Sequence, residues 1–508
     1  MYDYIFFTDV TDTVIIYKAI GVYKLAHQLR KKGKKCLVVD HLHTWSFDDI
    51  KQLIDLSVDK KTTAIGFSNT FFLDTGNAKT QEDGGIVYKE HNVNNLFPQG
   101  KEFENNFISY VKNINPNIKI ILGGAKASQN ISNKNVDVAV QGFAEPAILE
   151  LNQRFENNDT FSRSEKNIWG VAIMNKDKAA SSHNFSESDF EWTKTDVVNH
   201  RLLDLETSRG CIFKCKFCSY PLIGKKKLDY IKSPSLIEYE IKKNWEEFGV
   251  KDYYILDDTF NDTDIKIDEI LKSVKKLNFQ PKFWAYTRLD LLTAKDQIDK
   301  LYDLGLHSMY FGIETLNPKT AKAISKGSDR TKQIKKVQEI KSKYPEVRMH
   351  GSFILGLPGE SIESVTETFN MCQSQELPLH TYSFKPLLLL DSRFFNWSSD
   401  LDINYANYGY NGGKVDPNTG IRDWSNEHTY FDEVKELSDY FNQESRIQDH
   451  FKIPGQLSFG LKNYNYSESY IKNTKYKDID WHDITQNKEK FIFEYKKQLI
   501  KLIKKENS

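Results

Sequence analysis

Short apolar runs alternate with helical segments twice along this chain, and that alternation constrains its fold more than any other feature. The first series has apolar runs at 4–7, 36–39, 64–67, 118–122 and 136–140, with helical spacing over 15–29, 47–56, 103–114 and 147–155. A run that is apolar at every position is a strand covered on both faces, and a helix between two such strands makes them parallel. Residues 1–155 are therefore predicted to form an α/β domain with a doubly wound parallel sheet. Its strand ends at Gly123-Gly124 and Gln141-Gly142 are where such a sheet places a ligand. The polar stretch around Gly84-Gly85 reads as a long loop, and residues 156–200, rich in Asn, Ser, Asp and Lys, as a linker with one small strand.

The second series has runs at 202–206, 253–256, 283–286, 308–313, 347–355 and 381–390, with helical segments including 236–248, 265–277, 297–304 and 330–343. Six strand–helix units predict an incomplete parallel barrel over residues 201–390. Residues 391–508 break the pattern. They are rich in Asn, Asp, Tyr and Trp, end in a Lys-rich helix at 488–505, and read as an α-rich C-terminal extension.

Composition narrows the function classes. Lys+Arg and Asp+Glu both number 70 in 508 residues, so no net field steers the chain onto nucleic acid or an anionic membrane. At 39% hydrophobic and 13% aromatic residues the chain is too apolar for disorder. No run approaches the length of a membrane span, and Met1-Tyr2-Asp3-Tyr4 lacks the basic-then-apolar pattern of a secretory signal, so a cytoplasmic protein is expected.

Five cysteines exclude a disulfide framework, but Cys211, Cys215 and Cys218 fall within one C-x3-C-x2-C segment. Thiolates at that spacing suit zinc or an iron–sulfur cluster. Structural zinc wants four ligands, and the one candidate for the fourth is His200 upstream. Three thiolates on a cubane cluster instead leave one iron open to a small molecule. Cys36 and Cys372 read as ordinary buried thiols. His41 and His43, lacking a third partner, read as surface residues, and Lys225-Lys226-Lys227 as a solvated loop.

The triplet, with aromatic Phe217 before its last cysteine and Arg209-Gly210 before its first, resembles the radical S-adenosylmethionine (SAM) superfamily. The resemblance implies a 4Fe–4S cluster at the top of the first barrel strand, held by Cys211, Cys215 and Cys218 as catalytic and metal-binding residues. It implies SAM on the open iron, cleaved reductively so that hydrogen is abstracted from a substrate. Later segments follow in the order the resemblance requires. Leu256-Asp257-Asp258 matches an acidic turn near the SAM amino group, through Asp258. Arg288, in Tyr286-Thr287-Arg288, suits the SAM carboxylate or a substrate anion. Glu314, ending the run Phe311-Gly312-Ile313, suits the SAM ribose or amino group. The segment from Gly351 to Glu360 matches backbone beside the adenine, through Leu355 and Gly356. Phe217 completes the implied SAM contacts.

Residues 1–155 resemble the cobalamin-binding domain that precedes the barrel in many such enzymes, a Rossmann-type sheet, with Gly123, Gly124 and Gly142 as implied cobalamin contacts. The Asp-x-His-x-x-Gly motif is absent, since the loop after the first strand is Thr8-Asp9-Val10-Thr11-Asp12. Bound cobalamin implies radical methylation. Its absence implies rearrangement, cyclisation or oxidation. The expected partners are a small-molecule or peptide substrate and an electron donor such as flavodoxin or ferredoxin, with neither membrane nor nucleic acid. The C-terminal extension is the expected substrate cover. The competing reading is a non-catalytic, metal-stabilised binding protein on the same fold.

Overall fold

The structure, a computed structural model, describes residues 1–507 apart from 11, 13, 72, 81–85, 91–94, 125–126, 128–130, 176–183, 220–229, 328, 393–397 and 417–418. Two compact units emerge: Met1–His183 with Asp189–His200 and His482–Ser508, and Asn184–Ser188 with Arg201–Trp481. Lys225-Lys226-Lys227 and Gly84-Gly85 lie outside the described residues.

The N-terminal unit is built on strands β1 (Tyr4–Val10), β2 (Cys36–Val39), β3 (Ala64–Phe71), β6 (Lys119–Gly123), β7 (Val138–Gln141) and β8 (Ala172–Asn175), all parallel, in the order β2-β1-β3-β6-β7-β8. The doubly wound prediction holds, and β8 is the small strand read in the linker, here a full member of the sheet. Between β3 and β6 lies an antiparallel pair, β4 (Leu73–Thr80) with β5 (Ile86–Glu90), so the predicted long loop is in part a hairpin. Gly66 faces Phe6 in the register, and a β-carbon there would fall 2.6 Å from the Phe6 ring, which explains a glycine inside a buried strand. Helix Phe47–Ser57 is set by a capping box, in which Ser46 Oγ accepts from the Asp49 amide at 3.1 Å and the Asp49 carboxylate accepts from the Ser46 amide at 3.4 Å.

Helix Trp481–Asn507 also packs in this unit. Ile484, Phe491, Ile492, Tyr495, Leu499 and Ile503 form its buried stripe at helical period. Tyr495 Oη accepts from the Asp40 amide at 3.1 Å, and Asn507 Nδ2 donates to the Leu56 carbonyl at 2.6 Å. The expected division is corrected at both ends. The unit takes β8 and Asp189–His200 from the predicted linker, and the final helix from the predicted substrate cover.

The second unit carries β9 (Leu202–Leu205), β10 (Asp252–Ile255), β11 (Lys282–Thr287), β12 (Leu306–Glu314), β13 (Arg348–Leu355) and β14 (Thr381–Pro386), each parallel to the next in sequence. This is the predicted six-stranded partial barrel. The far edge is closed by helix Phe431–Arg446. Its Asn442 accepts from the Phe384 amide at 3.0 Å and donates to the Phe384 carbonyl at 2.7 Å. A β14 edge is thereby satisfied. The extension is not wholly helical, because β15 (Leu389–Leu390), β16 (Asn411–Val415) and β17 (Ile421–Ser425) form a small antiparallel sheet.

Candidate active site

The loop after β9 carries the three thiols, and a buried network fixes its entry. Asp257, at the end of β10, accepts from the amides of Thr207 and Ser208 at 2.8 and 2.9 Å and from their hydroxyls at 2.5 and 2.8 Å. Lys266 lies 2.6 Å from the same carboxylate, both fully buried, and donates to Ser208 Oγ at 2.7 Å and the Thr259 carbonyl at 3.0 Å. A sealed carboxylate demands such compensation. Arg209 then clamps Glu206 through Nε and Nη2 at 2.7 and 3.0 Å, and Gly210 turns the chain at φ +85° into Cys211.

Cys211 Sγ sits 3.4 Å from Thr259 Oγ1. Burial raises its thiol pKa, the Asp258 and Cys215 charges add to this, and Thr259 and the Phe213 amide work against it. Cys215 is buried, and its carbonyl accepts from the Cys218 amide at 3.1 Å. Between them Lys216 is held on three sides. Its amide donates to the Ile324 carbonyl at 3.0 Å, its carbonyl accepts from the Leu401 amide at 2.8 Å, and Nζ meets Asp400 at 2.8 Å. Lys216 and Tyr408 hold the Asp400 carboxyl down at about 2. The cysteine loop is thus pinned by the segments following β12 and β15.

The other expected residues are distributed unequally. Asp258 is half-buried on the turn beside Cys211, whereas its neighbour Asp257 belongs to the loop anchor. Phe217 has Lys326 Nζ at 5.9 Å from its ring centre. Glu314 ends β12 in the left-handed region at φ +66°, and Lys326 donates to it at 2.9 Å. Arg288, expected to meet a carboxylate of the cofactor or substrate, engages Asp290 through Nε and Nη2 at 3.1 and 2.8 Å, and Nη1 reaches Cys215 Sγ at 3.2 Å. A carboxylate two residues away on the same turn supplies the partner. Leu355 and Gly356 are covered by protein. The Leu355 carbonyl accepts from the Leu387 amide at 2.9 Å, the Gly356 carbonyl from Tyr410 Oη at 2.6 Å, and a β-carbon on Gly356 would stand 2.4 Å from Trp424. Trp424 and a φ of +84° each require glycine here.

His200, the fourth ligand of the zinc reading, belongs to the N-terminal unit. Its Nδ1 pairs with the Val198 carbonyl at 2.7 Å and its ring stacks on His41 at 5.8 Å. In that unit the chain leaves β1 for β2 on one side and β3 on the other, which makes their C-terminal ends the topological switch point. There Thr8 Oγ1 is buried without a hydrogen-bond partner among the described residues. Gly124 and Gly142 follow β6 and β7 at φ +101° and +83°, and Gly123 closes β6. His41 and His43 are not surface residues. His41 is buried, and His43 Nδ1 lies 2.8 Å from the Asp9 carboxylate.

Residues 205–372 match the Radical SAM superfamily. Over that segment the chain is similar to radical SAM domains. Curated relatives include an uncharacterized methyltransferase of Pyrococcus horikoshii, 26% identical over 52% of this chain and 60% of the relative. Another is the bacteriochlorophyllide d C-12(1)-methyltransferase of Chlorobaculum tepidum, 24% identical over 36% of this chain and 40% of the relative. The chain thus spans less than two thirds of these relatives. Among solved structures, the radical SAM methyltransferase TsrM from Kitasatospora setae, with cobalamin and a [4Fe-4S] cluster bound, aligns at TM-score 0.59 and 13% identity over 97% of this chain and 99% of that one. The cobalamin-dependent SAM radical enzyme OxsB, with aqua-cobalamin and SAM bound, aligns at 0.59 and 15% identity over 86% and 66%. At these identities the likeness is one of fold, and it covers both the six-stranded partial barrel and the N-terminal unit.

The donor set fits a cluster better than zinc. Three thiols share one anchored loop at a C-terminal strand end, and three thiolates suit a cluster with one open iron where structural zinc wants a fourth ligand. They do not converge as a preformed ligand set among the described residues. Glycine strand ends and the unpartnered Thr8 hydroxyl fit a large ligand across the N-terminal sheet's edge.

Proposed function

We propose that this chain is a cobalamin-dependent radical SAM methyltransferase. The observation that carries the reading is the anchored loop that places Cys211, Cys215 and Cys218 at the C-terminal end of β9, where the match to the Radical SAM superfamily begins. The names of the curated relatives and the cobalamin of the structural neighbours support methylation over the other outcomes. When bound, the cluster supplies the electron that cleaves SAM, and cobalamin carries the methyl group. Cys211, Cys215 and Cys218 hold the cluster, while Asp257 and Lys266 keep their loop in place. Asp258, Phe217 and Glu314 with Lys326 offer polar and aromatic contacts for SAM around it. Gly123, Gly124, Gly142 and Thr8 receive cobalamin. An external electron donor of the flavodoxin or ferredoxin class completes the system, and the substrate is a small molecule or peptide.

The test is anaerobic reconstitution with iron, sulfide and hydroxocobalamin, followed by dithionite and SAM. Wild-type protein is expected to retain cobalamin by absorbance and to form 5′-deoxyadenosine or S-adenosylhomocysteine by mass spectrometry. Cys215→Ala is expected to form neither. A full cluster with no SAM consumed overturns the catalytic reading, and protein that retains no cobalamin overturns the methylation.

A further inference from the structure

Arg288 is a buried cation placed against a cluster ligand, a role distinct from binding SAM. Its Nη1 lies 3.2 Å from Cys215 Sγ. Its plane lies over the Phe213 ring, 4.0 Å from the centre. Its amide donates to Asn261 Oδ1 at 2.8 Å and its carbonyl accepts from Asn261 Nδ2 at 3.0 Å, so the backbone is held as firmly as the side chain. Asp290 takes Nε and Nη2, which leaves Nη1 as the edge facing the sulfur. Asp290 is itself fixed, because Gly327 packs so closely that a β-carbon would fall 2.6 Å from its Oδ2.

A planar guanidinium cannot turn freely once two of its nitrogens are bound to one carboxylate. Its remaining edge is then a pre-oriented donor to the thiolate. Hydrogen bonds to cluster sulfurs and the net charge around them set an iron–sulfur reduction potential. The cation is closer to the sulfur than its counter-charge is, since Asp290 binds the other nitrogens. Reduction adds negative charge to the cluster, so Arg288 favours the reduced state and Asp290 opposes it.

We propose that Arg288 sets the reduction potential of the cluster on Cys215, and that Asp290 both aims it and offsets its charge. The inference rests on the radical SAM reading of the site. It is tested by potentiometric titration with dithionite, followed by electron paramagnetic resonance of the reduced cluster, alongside iron and sulfide content. At full cluster content, Arg288→Gln is expected to lower the midpoint by a tenfold change in the oxidised-to-reduced ratio, about 59 mV for one electron. Asp290→Asn, which keeps the cation and removes its counter-charge, is expected to raise the midpoint. Arg288→Lys is expected to fall between wild type and Arg288→Gln.

Opposite shifts in Arg288→Gln and Asp290→Asn support the proposal, because structural damage moves both the same way. Shifts in one direction, or no shift, overturn it. Should Arg288→Gln lose the cluster, Asp290→Asn decides alone, a raised midpoint supporting the proposal and an unchanged or lowered one overturning it. Wild-type protein that takes up no cluster overturns the radical SAM reading itself, an outcome separate from a full cluster whose potential ignores Arg288.

Discussion

Lys266 and Asp257 are both sealed from solvent, and each supplies the other's nearest counter-charge. Lys266→Met removes the cation and strands the carboxylate, a change that costs about 3–5 kcal/mol when one member of a buried pair is lost. The expected result is a lower melting temperature and loss of cluster uptake together, since the same carboxylate holds Thr207 and Ser208 ahead of Cys211. A variant that melts normally would show that the pair is not the loop's anchor. Glu360 is the opposite case, a buried carboxyl with no cation against it among the described residues: Thr315 donates to Oε1 at 2.6 Å, the Leu357 amide also favours the charged form, and Oε2 has no partner among them. Burial pushes its pKa from 4.5 up to about 8. The folded protein therefore prefers the neutral acid. Its contribution to stability is complete below 4.5 and is lost as pH rises through about 8. Urea midpoints of the wild type are expected to fall across that window, by up to about 1.4 kcal/mol per pH unit. Glu360→Gln, neutral throughout, is expected to flatten the decline, and an equal slope in the two proteins would refute the assignment.

At the scale of elements, the small sheet β15-β17-β16 gives Gly356 a packing role that the sequence reading did not contain. β17 brings Trp424 onto the turn after β13, with Trp424 Nε1 donating to the Leu387 carbonyl at 3.0 Å. Gly356→Ala meets both the indole and a positive φ and is expected to lose about 1–3 kcal/mol. Trp424→Ala is expected to lose about 3–5 kcal/mol as a core cavity. The double variant is expected to be less destabilised than the sum, because removing the indole opens the space the new methyl needs. Strict additivity in a thermal double-mutant cycle would mean that the two do not touch. Pattern reading could not see this contact, because Gly356 and Trp424 are far apart in sequence and any tight turn uses Pro-Gly.

For the whole molecule, the last helix is the largest departure from the sequence reading. The sequence reading placed it in the C-terminal extension expected to cover the substrate, but the apolar stripe from Ile484 to Ile503 belongs to the N-terminal unit. Six buried apolar side chains at about 1.5–3 kcal/mol each are on the order of 10 kcal/mol, comparable to the stability of a domain. Ending the chain after Trp481 is therefore expected to abolish the N-terminal unit's thermal transition and its cobalamin retention. Preserved transitions in calorimetry would show that the helix is dispensable. Among the described residues no helix is long and apolar enough to cross a membrane.

The sequence by itself determined the two parallel sheets, the six-strand partial barrel and the three-thiol loop. Each is written in contiguous residues: apolar runs one strand long, helical periods between them, and cysteines within one turn of chain. What it left open is non-local. Asp257 and Asp258 are adjacent and chemically identical, and only the position of Lys266 decides which is structural. Arg288 ends a barrel strand as expected, but its partners were chosen by Asp290 on the same turn and Cys215 on another strand's loop. An amphipathic stripe states that a helix must be covered, not by what. Tertiary structure alone answers that, because burial is satisfied by whichever apolar surface the fold brings alongside.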